Sequence, residues 1–261
     1  MLRSLYTAAT GMEAQQLKMD VIANNLANVN TTGFKRTRPE FEDLLSEAVR
    51  APGAPDPRGG VEPSPLEVGL GVKTVATTRN FSQGDMLNTG NPNDVAIEGS
   101  GFFEVRQANG EPAYTRAGNL RIDATGRLVT QHGEIIEPEI NVPAETTQLT
   151  IQADGRVFAT VPGRAEPSEL GQIELVQFQN PGGLQTLGRN LLVANPACGE
   201  AIRTRPGERG AGSLNQGFLE NGNVKAVEEM VDMISTQRAY ELNSKVIQTA
   251  DQMLQRLTSL R

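Results

Sequence analysis

The last 39 residues, Asn223 to Arg261, contain neither proline nor glycine, and this run constrains the fold more than any other feature of the sequence. It predicts one long helix, with Asn223 as a plausible N-cap. Thirty-odd helical residues would extend roughly 50 Å at 1.5 Å per residue. Apolar side chains recur along it every seven residues. These positions are Ala226, Met233, Tyr240, Ile247 and Leu254. Because a small domain cannot cover so long a rod, a second helix or another chain is expected to pack against it.

The N-terminal segment carries the same periodicity. One series of positions seven apart is Leu5, Met12, Met19 and Leu26, and a second is Ala8, Gln15, Ile22 and Val29. A sustained seven-residue repeat is typical of coiled coils, and Gly33 is a natural stop just beyond the helix. We predict that the two terminal helices pair as a coiled coil. The predicted assembly seam consists of Leu5, Met12, Met19, Ile22, Leu26, Val29, Met233, Tyr240, Ile247 and Leu254.

Between the helices the pattern changes to short, often alternating apolar runs, which favour β-strands. These runs are Val72–Val75, Gly101–Arg106, Tyr114–Arg116, Leu120–Ile122, Leu128–Thr130, Leu149–Ile151, Val157–Thr160 and Ile173–Phe178. Turn signals such as Asn109-Gly110 and Asp154-Gly155 separate them. The predicted fold class is therefore α+β, with a central antiparallel β domain.

The same patterns divide the chain into three parts. Residues 1–33 and 223–261 are predicted to form a terminal helical domain, and 81–199 the central β domain. The connecting segment comprises 34–80 and 200–222. It includes the proline-rich stretch 51–65, which is expected to be extended and fairly stiff.

Net charge argues against a nucleic-acid partner, and hydropathy argues against membrane insertion. The chain has 24 basic and 31 acidic residues, a net charge of −7, whereas a nucleic-acid binder would normally be basic. No apolar run is long enough for a membrane-spanning helix, so membrane insertion is not expected. The basic residues Lys35, Arg36 and Arg38 are interpreted as solvated charges beyond a helix end; contact with an anionic surface is the alternative.

Residues that carry chemistry are scarce. A single cysteine, Cys198, and a single histidine, His132, argue against a thiolate metal cage and imidazole catalysis. Paired carboxylates could in principle cleave glycosidic bonds, but those present are interpreted as solvated charges at strand ends. The pairs are Asp94 with Glu98 and Glu134 with Glu137. We predict no catalytic, cofactor-binding or metal-binding residue.

Two long stretches at opposite ends of the chain resemble the two signatures of the bacterial flagellar rod and hook family. They are Asn24 to Lys35, NNLANVNTTGFK, and Met233 to Ile247, MISTQRAYELNSKVI. The signature residues are Asn24, Asn25, Leu26, Ala27, Asn28, Gly33, Phe34, Gln237, Arg238, Ala239, Tyr240, Asn243 and Lys245. The stretches 94–103 and 113–118 are similar to the central domain of the distal rod members.

This resemblance implies a structural subunit that polymerises into a straight, hollow drive shaft and transmits torque from motor to hook. The terminal helices would form the inner tube and the β domain the outer layer. The implied partners are further copies of the chain, the proximal rod, the hook, the L- and P-ring proteins and the flagellar type III export apparatus. The implied location is the basal body across the periplasm, reached without a cleavable signal peptide. The segment after the first helix, about Leu45–Pro63, would correspond to the insertion associated with rod straightness, and this sequence departs by being unusually proline-rich there.

Three alternatives remain open at the level of sequence. A hook or proximal rod subunit is similar at both ends, and a curved polymer would favour it. An enzyme acting on peptidoglycan would need two poised carboxylates in a cleft. A monomeric binding module would keep ordered termini at low concentration.

Overall fold

The structure, a computed structural model, describes residues 2–50, 66–162 and 167–259. These residues form two long helices and twenty short strands. The chain divides into two compact units, and each is discontinuous in sequence. We call Met1–Leu26, Thr37–Thr78 and Lys225–Arg261 the terminal unit, and Ala27–Arg36 with Arg79–Val224 the central unit.

The terminal unit contains both helices. They are α1, Leu2–Ala27, and α2, Ala226–Ser259. Four strands accompany them: β1, Thr37–Asp43; β2, Glu47–Arg50; β3, Leu66–Val68; and β4, Val72–Arg79. Strand β1 pairs with β4, and β2 pairs antiparallel with β3. The proline-rich stretch 51–65 lies outside the described residues.

Both helix boundaries correct the sequence prediction. The first helix ends at Ala27, before Val29, because a turn follows in which the Thr31 amide donates to the Asn28 carbonyl at 3.0 Å. The second helix begins at Ala226, so Asn223 is not its N-cap. The Asn223 side-chain oxygen instead accepts a hydrogen bond from the backbone amide of Arg36 at 2.7 Å.

The central unit contains the remaining strands. They are β5, Met86–Asn88; β6, Val95–Glu98; β7, Phe102–Arg106; β8, Pro112–Thr115; β9, Arg121–Ile122; β10, Leu128–Val129; β11, Ile135–Glu137; β12, Gln148–Ile151; β13, Arg156–Thr160; β14, Ser168–Gln172; β15, Leu175–Gln177; β16, Gln185–Gly188; β17, Leu191–Val193; β18, Ile202–Thr204; β19, Ser213–Gln216; and β20, Phe218–Glu220. Each of the eight predicted runs coincides with a strand, and the α+β class is confirmed.

Strand β7 organises the largest sheet. One of its edges pairs with β8, and the other is shared by β15 at Phe102 and Phe103 and by β11 from Glu104 to Arg106. Side chains of β7 alternate between two buried apolar clusters because successive residues point to opposite faces. Phe103 and Val105 belong to one cluster, and Phe102 belongs to the other, together with Tyr114 and Cys198.

Several hairpins of this unit share one loop design. In each, a backbone hydrogen bond closes the loop and three residues lie inside it. The last of the three is a glycine with positive φ, and its amide donates to the carbonyl of the residue that precedes the three. The glycines are Gly110, Gly126, Gly133 and Gly155. This is the expected geometry of a type I turn closed by a left-handed residue, so the glycine-containing turn signals in the sequence were read correctly.

Candidate assembly surfaces

The predicted seam residues lie on the shielded sides of the two helices. On α1, Ile22 is buried and Leu5, Met12, Met19 and Leu26 are half-buried. On α2, Met233, Ile247 and Leu254 are half-buried, whereas Tyr240 is at the exposed margin. Val29 is half-buried but belongs to the turn beyond α1.

The shielded side of α2 also contains a second series, at intervals of seven residues, that the sequence pattern did not reveal because most of its members are polar. The series is Glu229, Thr236, Asn243 and Ala250, of which Glu229, Thr236 and Ala250 are buried. The Thr236 hydroxyl donates a hydrogen bond to the Asp232 carbonyl of the same helix at 2.7 Å. A buried threonine can therefore occupy this position without an outside partner.

Two contacts show how the helices run relative to each other. A Cβ on Gly11 of α1 would lie 3.0 Å from Nδ2 of Asn243 on α2. Further along, Nδ2 of Asn25 lies 3.3 Å from Oε2 of Glu229. The contacts are 14 residues apart on both helices, and numbers rise on α1 as they fall on α2. The two helices are therefore antiparallel and stay in register over about 21 Å.

The opposite side of α2 is a second apolar face, and it is exposed. Val227 is 69% exposed, Ile234 is 52% exposed and Leu242 is 62% exposed. Spacings of seven and eight, close to two helical turns, place these residues on one side of the helix. Among the helix residues whose exposure the structure describes, this face consists of Val227, Met230, Val231, Ile234, Leu242, Val246 and Met253. An exposed apolar surface of this extent is typical of a protein interaction site.

The N-terminal signature residue Asn25 binds both backbone groups of Thr37 at the start of β1. Its Oδ1 accepts from the Thr37 amide at 3.0 Å, and its Nδ2 donates to the Thr37 carbonyl at 2.9 Å. The side chain is 1% exposed, so every polar atom must be paired. An amide, which both accepts and donates, suits this position.

Gly33, a second signature residue, is constrained twice. Its φ is +71°, and a Cβ there would lie 2.7 Å from the backbone nitrogen of Ala117. Its amide donates to the Glu220 carbonyl at 2.8 Å. A side chain at Gly33 would therefore be both strained and obstructed.

Lys35 is buried in an ion cluster, which corrects its interpretation as a solvated charge. Its Nζ lies 2.7 Å from Oε1 of Glu220 and donates to the Ser82 carbonyl at 2.7 Å. The other oxygen of Glu220 accepts from Nε of Arg116 at 2.6 Å. Arg116 also donates to the carbonyls of Gly99 and Gly101. The positive charge of Lys35 is thus neutralised by an acid far away in the sequence, while Arg38 is exposed as expected.

Two cations share one carboxylate in this cluster, and the pKa values reflect the imbalance. Burial lowers the pKa of the Lys35 ammonium, although Glu220 opposes the effect. Burial tends to raise the pKa of the Glu220 carboxyl, but the charges of Arg116 and Lys35 outweigh it and hold the pKa below 4.5. The charge of the Glu220 carboxylate is therefore the most important one in the cluster, because both cations pair with it.

The C-terminal signature is arranged differently. Gln237, Arg238 and Lys245 are exposed, and no hydrogen bond or ion pair of their side chains is found within the described parts of the chain. Ala239 is half-buried, and Asn243 faces Gly11. The N-terminal signature residues Asn25 and Gly33 thus support the chain's own fold, whereas the C-terminal signature presents polar groups outward.

The candidate catalytic acids have structural partners. Asp94 is buried, contrary to its interpretation as solvated, because it accepts hydrogen bonds from Thr89 at 2.6 Å and Asn91 at 3.1 Å. Glu134 is also buried and is bonded to Thr130. Glu98 is exposed, and Glu137 pairs with Arg106.

Other chemistry is equally sparse. Cys198 is fully buried in the second apolar cluster, and His132 is exposed. Among the residues that the structure describes, no group of three or more His, Cys, Asp or Glu side chains is placed to hold a metal ion. No helix within the described ranges is long and apolar enough to cross a membrane.

Three protein families match successive parts of the chain. A family described as flagella basal body rod protein matches residues 5–35, the flagellar hook protein FlgE/F/G D1 domain matches 96–159, and the C-terminal family of the flagellar basal body rod FlgEFG proteins matches 215–260. The first of these includes the N-terminal signature, and the last includes the C-terminal one.

Individual relatives cover the whole chain. The flagellar basal-body rod protein FlgG of Buchnera aphidicola subsp. Acyrthosiphon pisum (strain APS) is 48% identical over 260 residues, which is 100% of each chain. FlgG of Borreliella burgdorferi is 48% identical over 256 residues, 97% of each chain. The flagellar hook protein FlgE of Helicobacter mustelae is 44% identical over 138 residues, but these are 52% of this chain and 30% of that protein.

The chain therefore belongs to the flagellar basal-body rod protein family, which consists of structural proteins rather than enzymes. Its similarity over full length is to the FlgG rod proteins, whereas its similarity to the hook protein is partial. A hook subunit and a peptidoglycan enzyme are accordingly not favoured.

Proposed function

We propose that this chain is a subunit of the distal rod and self-assembles into a straight, hollow drive shaft that transmits torque from the motor to the hook. The observation that carries this proposal is the exposed apolar face of α2. Each large apolar side chain gains roughly 1.5–3 kcal/mol when it leaves water. A face that runs from Val227 to Met253 provides this gain in every subunit, and identical contacts repeated by one operation build a filament.

Within a subunit, the seam residues would pair the two helices as a coiled coil. The contacts of Gly11 with Asn243 and of Asn25 with Glu229, two heptads apart on both helices, support this arrangement. In this proposal residues 1–33 and 223–261 form the tube, 81–199 form the outer β domain, and 34–80 with 200–222 connect them. The signature groups on the outer side of α2 are then free to contact neighbouring subunits.

The partners that follow are those of a rod. Further copies of the chain are the main partner, with the proximal rod below, the hook above and the L- and P-ring proteins around the shaft. The location proposed is the basal body across the periplasm, reached by the flagellar type III export apparatus without a cleavable signal. The proposal includes no nucleic acid, no membrane insertion and no cofactor.

Electron microscopy and sedimentation of the purified full-length chain test the function. Wild type should form straight tubes in a concentration-dependent manner, and Ile234→Asp should remain monomeric because it places a charge in the apolar face. Leu187→Asp is the matched control, since Leu187 is 54% exposed and lies on β16 of the central unit. Straight tubes formed by Ile234→Asp as readily as by wild type would refute the role of this face, and curved tubes of wild type would favour a hook subunit.

A further inference from the structure

The outer side of α1 combines small and polar residues and carries negative charge. Exposed residues follow one another at spacings of three and four, which places them on one side of the helix. They are Tyr6, Ala9, Glu13, Gln16, Asp20, Ala23 and Ala27. Its two charged members, Glu13 and Asp20, are seven residues apart and form no ion pair or hydrogen bond within the described chain. This side therefore presents two unpaired carboxylates separated by about 10.5 Å along the helix.

The outer apolar face of α2 carries the complementary charges at the same spacing. Arg238 and Lys245 are seven residues apart and lie on the side of the helix that contains Ile234 and Leu242. Neither forms an ion pair within the described chain. The acidic residue Glu241 is exposed at the margin of this face, about 50° from the two cations around the helix. Two cations thus lie within an apolar surface and would lose water when that surface is covered.

The two cations on the outer face of α2 restrict which surface can pack against it. Buried cations are tolerated only when carboxylates or other acceptors pair with them, so the surface that packs on α2 should offer two negative charges about two helical turns apart. The outer side of α1 meets this requirement. Within one subunit the contact of Gly11 with Asn243 joins the inner sides of the helices, which leaves both outer sides for another copy.

We propose that the outer side of α1 of one copy packs on the outer face of α2 of the next copy, with Glu13 paired to Lys245 and Asp20 paired to Arg238. This inference rests on the proposed function, because it takes the partner to be a second copy in a polymer. Copies related by a screw operation point the same way along a filament, so α1 of one copy runs antiparallel to α2 of the next, as it does within the subunit. In an antiparallel pair, residues whose numbers have the same sum lie opposite each other, and both proposed pairs have the sum 258.

Charge reversal on one side tests the pairing. Glu13→Lys with Asp20→Lys should raise the critical concentration for assembly of the full-length chain by about tenfold or more, and Arg238→Glu with Lys245→Glu should do the same. The four substitutions together restore opposite charges and should restore assembly to within about threefold of wild type. The control, Glu139→Lys with Glu145→Lys, makes the same change in net charge at exposed sites in the central unit and should assemble normally.

A second comparison tests the register. Asp20→Lys should be rescued by Arg238→Glu, its proposed partner, and should not be rescued by Lys245→Glu. The far-UV circular dichroism of each monomer establishes that the substituted helices are folded, and protection of Cys198 establishes that the central unit is folded.

The outcomes separate this inference from the proposed function. If wild type assembles and either reversed variant assembles equally well, or if the fourfold variant fails to recover, the pairing is wrong and the rod function stands. If both partner choices rescue Asp20→Lys equally, the proposed register is wrong. If folded wild type stays monomeric at every concentration and salt condition, both proposals are overturned.

Discussion

Nζ of Lys35 lies 2.7 Å from Oε1 of Glu220, although the two residues are 185 positions apart in the chain. Lys35 follows α1, and Glu220 ends the last strand before α2. Arg116, from the middle of the sequence, binds the second oxygen of the same carboxylate. The central unit therefore completes its buried charge balance only when three distant parts of the chain have come together.

The first prediction concerns removal of this shared carboxylate. Glu220→Gln leaves Lys35 and Arg116 buried without a counter-charge and should lower the free energy of unfolding of the central unit by about 3–5 kcal/mol. Lys35→Met leaves the pair of Arg116 and Glu220 intact and should cost only about 1–2 kcal/mol for the lost hydrogen bonds of the ammonium, because the Ser82 carbonyl still accepts from Nδ2 of Asn223 at 3.0 Å.

The single buried cysteine provides the measurement. Cys198 reacts with a thiol reagent only when the central unit opens, so its rate in increasing denaturant reports the stability of that unit within the full chain. Glu139→Gln, at an exposed site, is the control and should be neutral. A larger loss for Lys35→Met than for Glu220→Gln would contradict this account of the cluster.

The second prediction concerns acid. Because Arg116 and Lys35 hold the pKa of Glu220 below 4.5 in the folded state despite its burial, the unfolded chain takes up a proton that the folded carboxylate resists. The stabilisation from Glu220 is therefore present above pH 4.5 and is lost as the pH falls through the lower, folded pKa. Because protonation of the thiolate slows every thiol reaction in acid, the Cys198 rate is compared with that of an exposed thiol at the same pH. This ratio should rise with acid, and less steeply in Glu220→Gln.

Two exposed acids, Asp123 and Asp154, also make the folded protein less stable in acid. The contribution of Glu220 is therefore obtained by comparing wild type with Glu220→Gln. Hydrogen bonding from the Arg127 side chain lowers the pKa of Asp123, and hydrogen bonding from the backbone amide of Arg156 lowers the pKa of Asp154. Both contribute to the acid dependence of wild type and of the variant. Identical pH dependences in the two proteins would show that Glu220 contributes nothing.

The third prediction concerns Asn25. Asn25→Asp would turn a carboxylate toward the Thr37 carbonyl and the Glu229 carboxylate, and should destabilise the terminal unit by about 3 kcal/mol or more. Asn25→Ala should cost about 1–3 kcal/mol by leaving the backbone groups of Thr37 unpaired. Thermal unfolding followed by far-UV circular dichroism measures both, with Gln16→Glu as an exposed charge control on α1. Equal melting temperatures for Asn25→Asp and wild type would count against this contact.

The fourth prediction concerns the seam. Met19→Asp should abolish polymerisation, because an unpaired charge between packed helices costs several kcal/mol in every subunit, while a buried methionine contributes roughly 1.5–3 kcal/mol. Cys198 protection should stay at the wild-type level, and Met19→Leu should assemble normally. Normal tubes formed by Met19→Asp would show that this position does not serve assembly.

The fifth prediction concerns residues 51–65. Replacing this stretch with glycine and serine at equal length removes the restricted proline backbone and should give tubes of greater curvature or shorter persistence length in micrographs. A scrambled stretch that keeps all the prolines should preserve straightness. The idea fails if the Gly/Ser tubes are as straight as those of wild type.

Local patterns predicted the elements of this fold because periodicity reports burial directly. Apolar positions seven apart located both helices, and alternating runs such as Val157–Thr160 located strands. Contacts between residues that are far apart in the chain leave no such pattern in the local sequence. The burial of Lys35 depends on Glu220, which is 185 positions away. Asp94 is a different case, because its partners Thr89 and Asn91 are local and the sequence analysis did not recognise that pattern.

The candidate assembly surface shows the same limit. The periodicity on α2 revealed one apolar series, beginning at Ala226, but the polar members Glu229 and Thr236 concealed the second series on the shielded side. The outer face, from Val227 to Met253, became evident only when exposure could be assigned to each residue. Helical spacing establishes which side chains share a side, and tertiary contacts decide which side is covered.

The division of the chain into units has a mechanical consequence. Because the terminal unit is made of three sequence segments and the central unit of two, the backbone passes from one unit to the other four times, at 26–27, 36–37, 78–79 and 224–225. A load applied to one unit is therefore shared by four covalent connections instead of one linker. For a subunit of a rod, four connections of this kind give a load four covalent routes between the units.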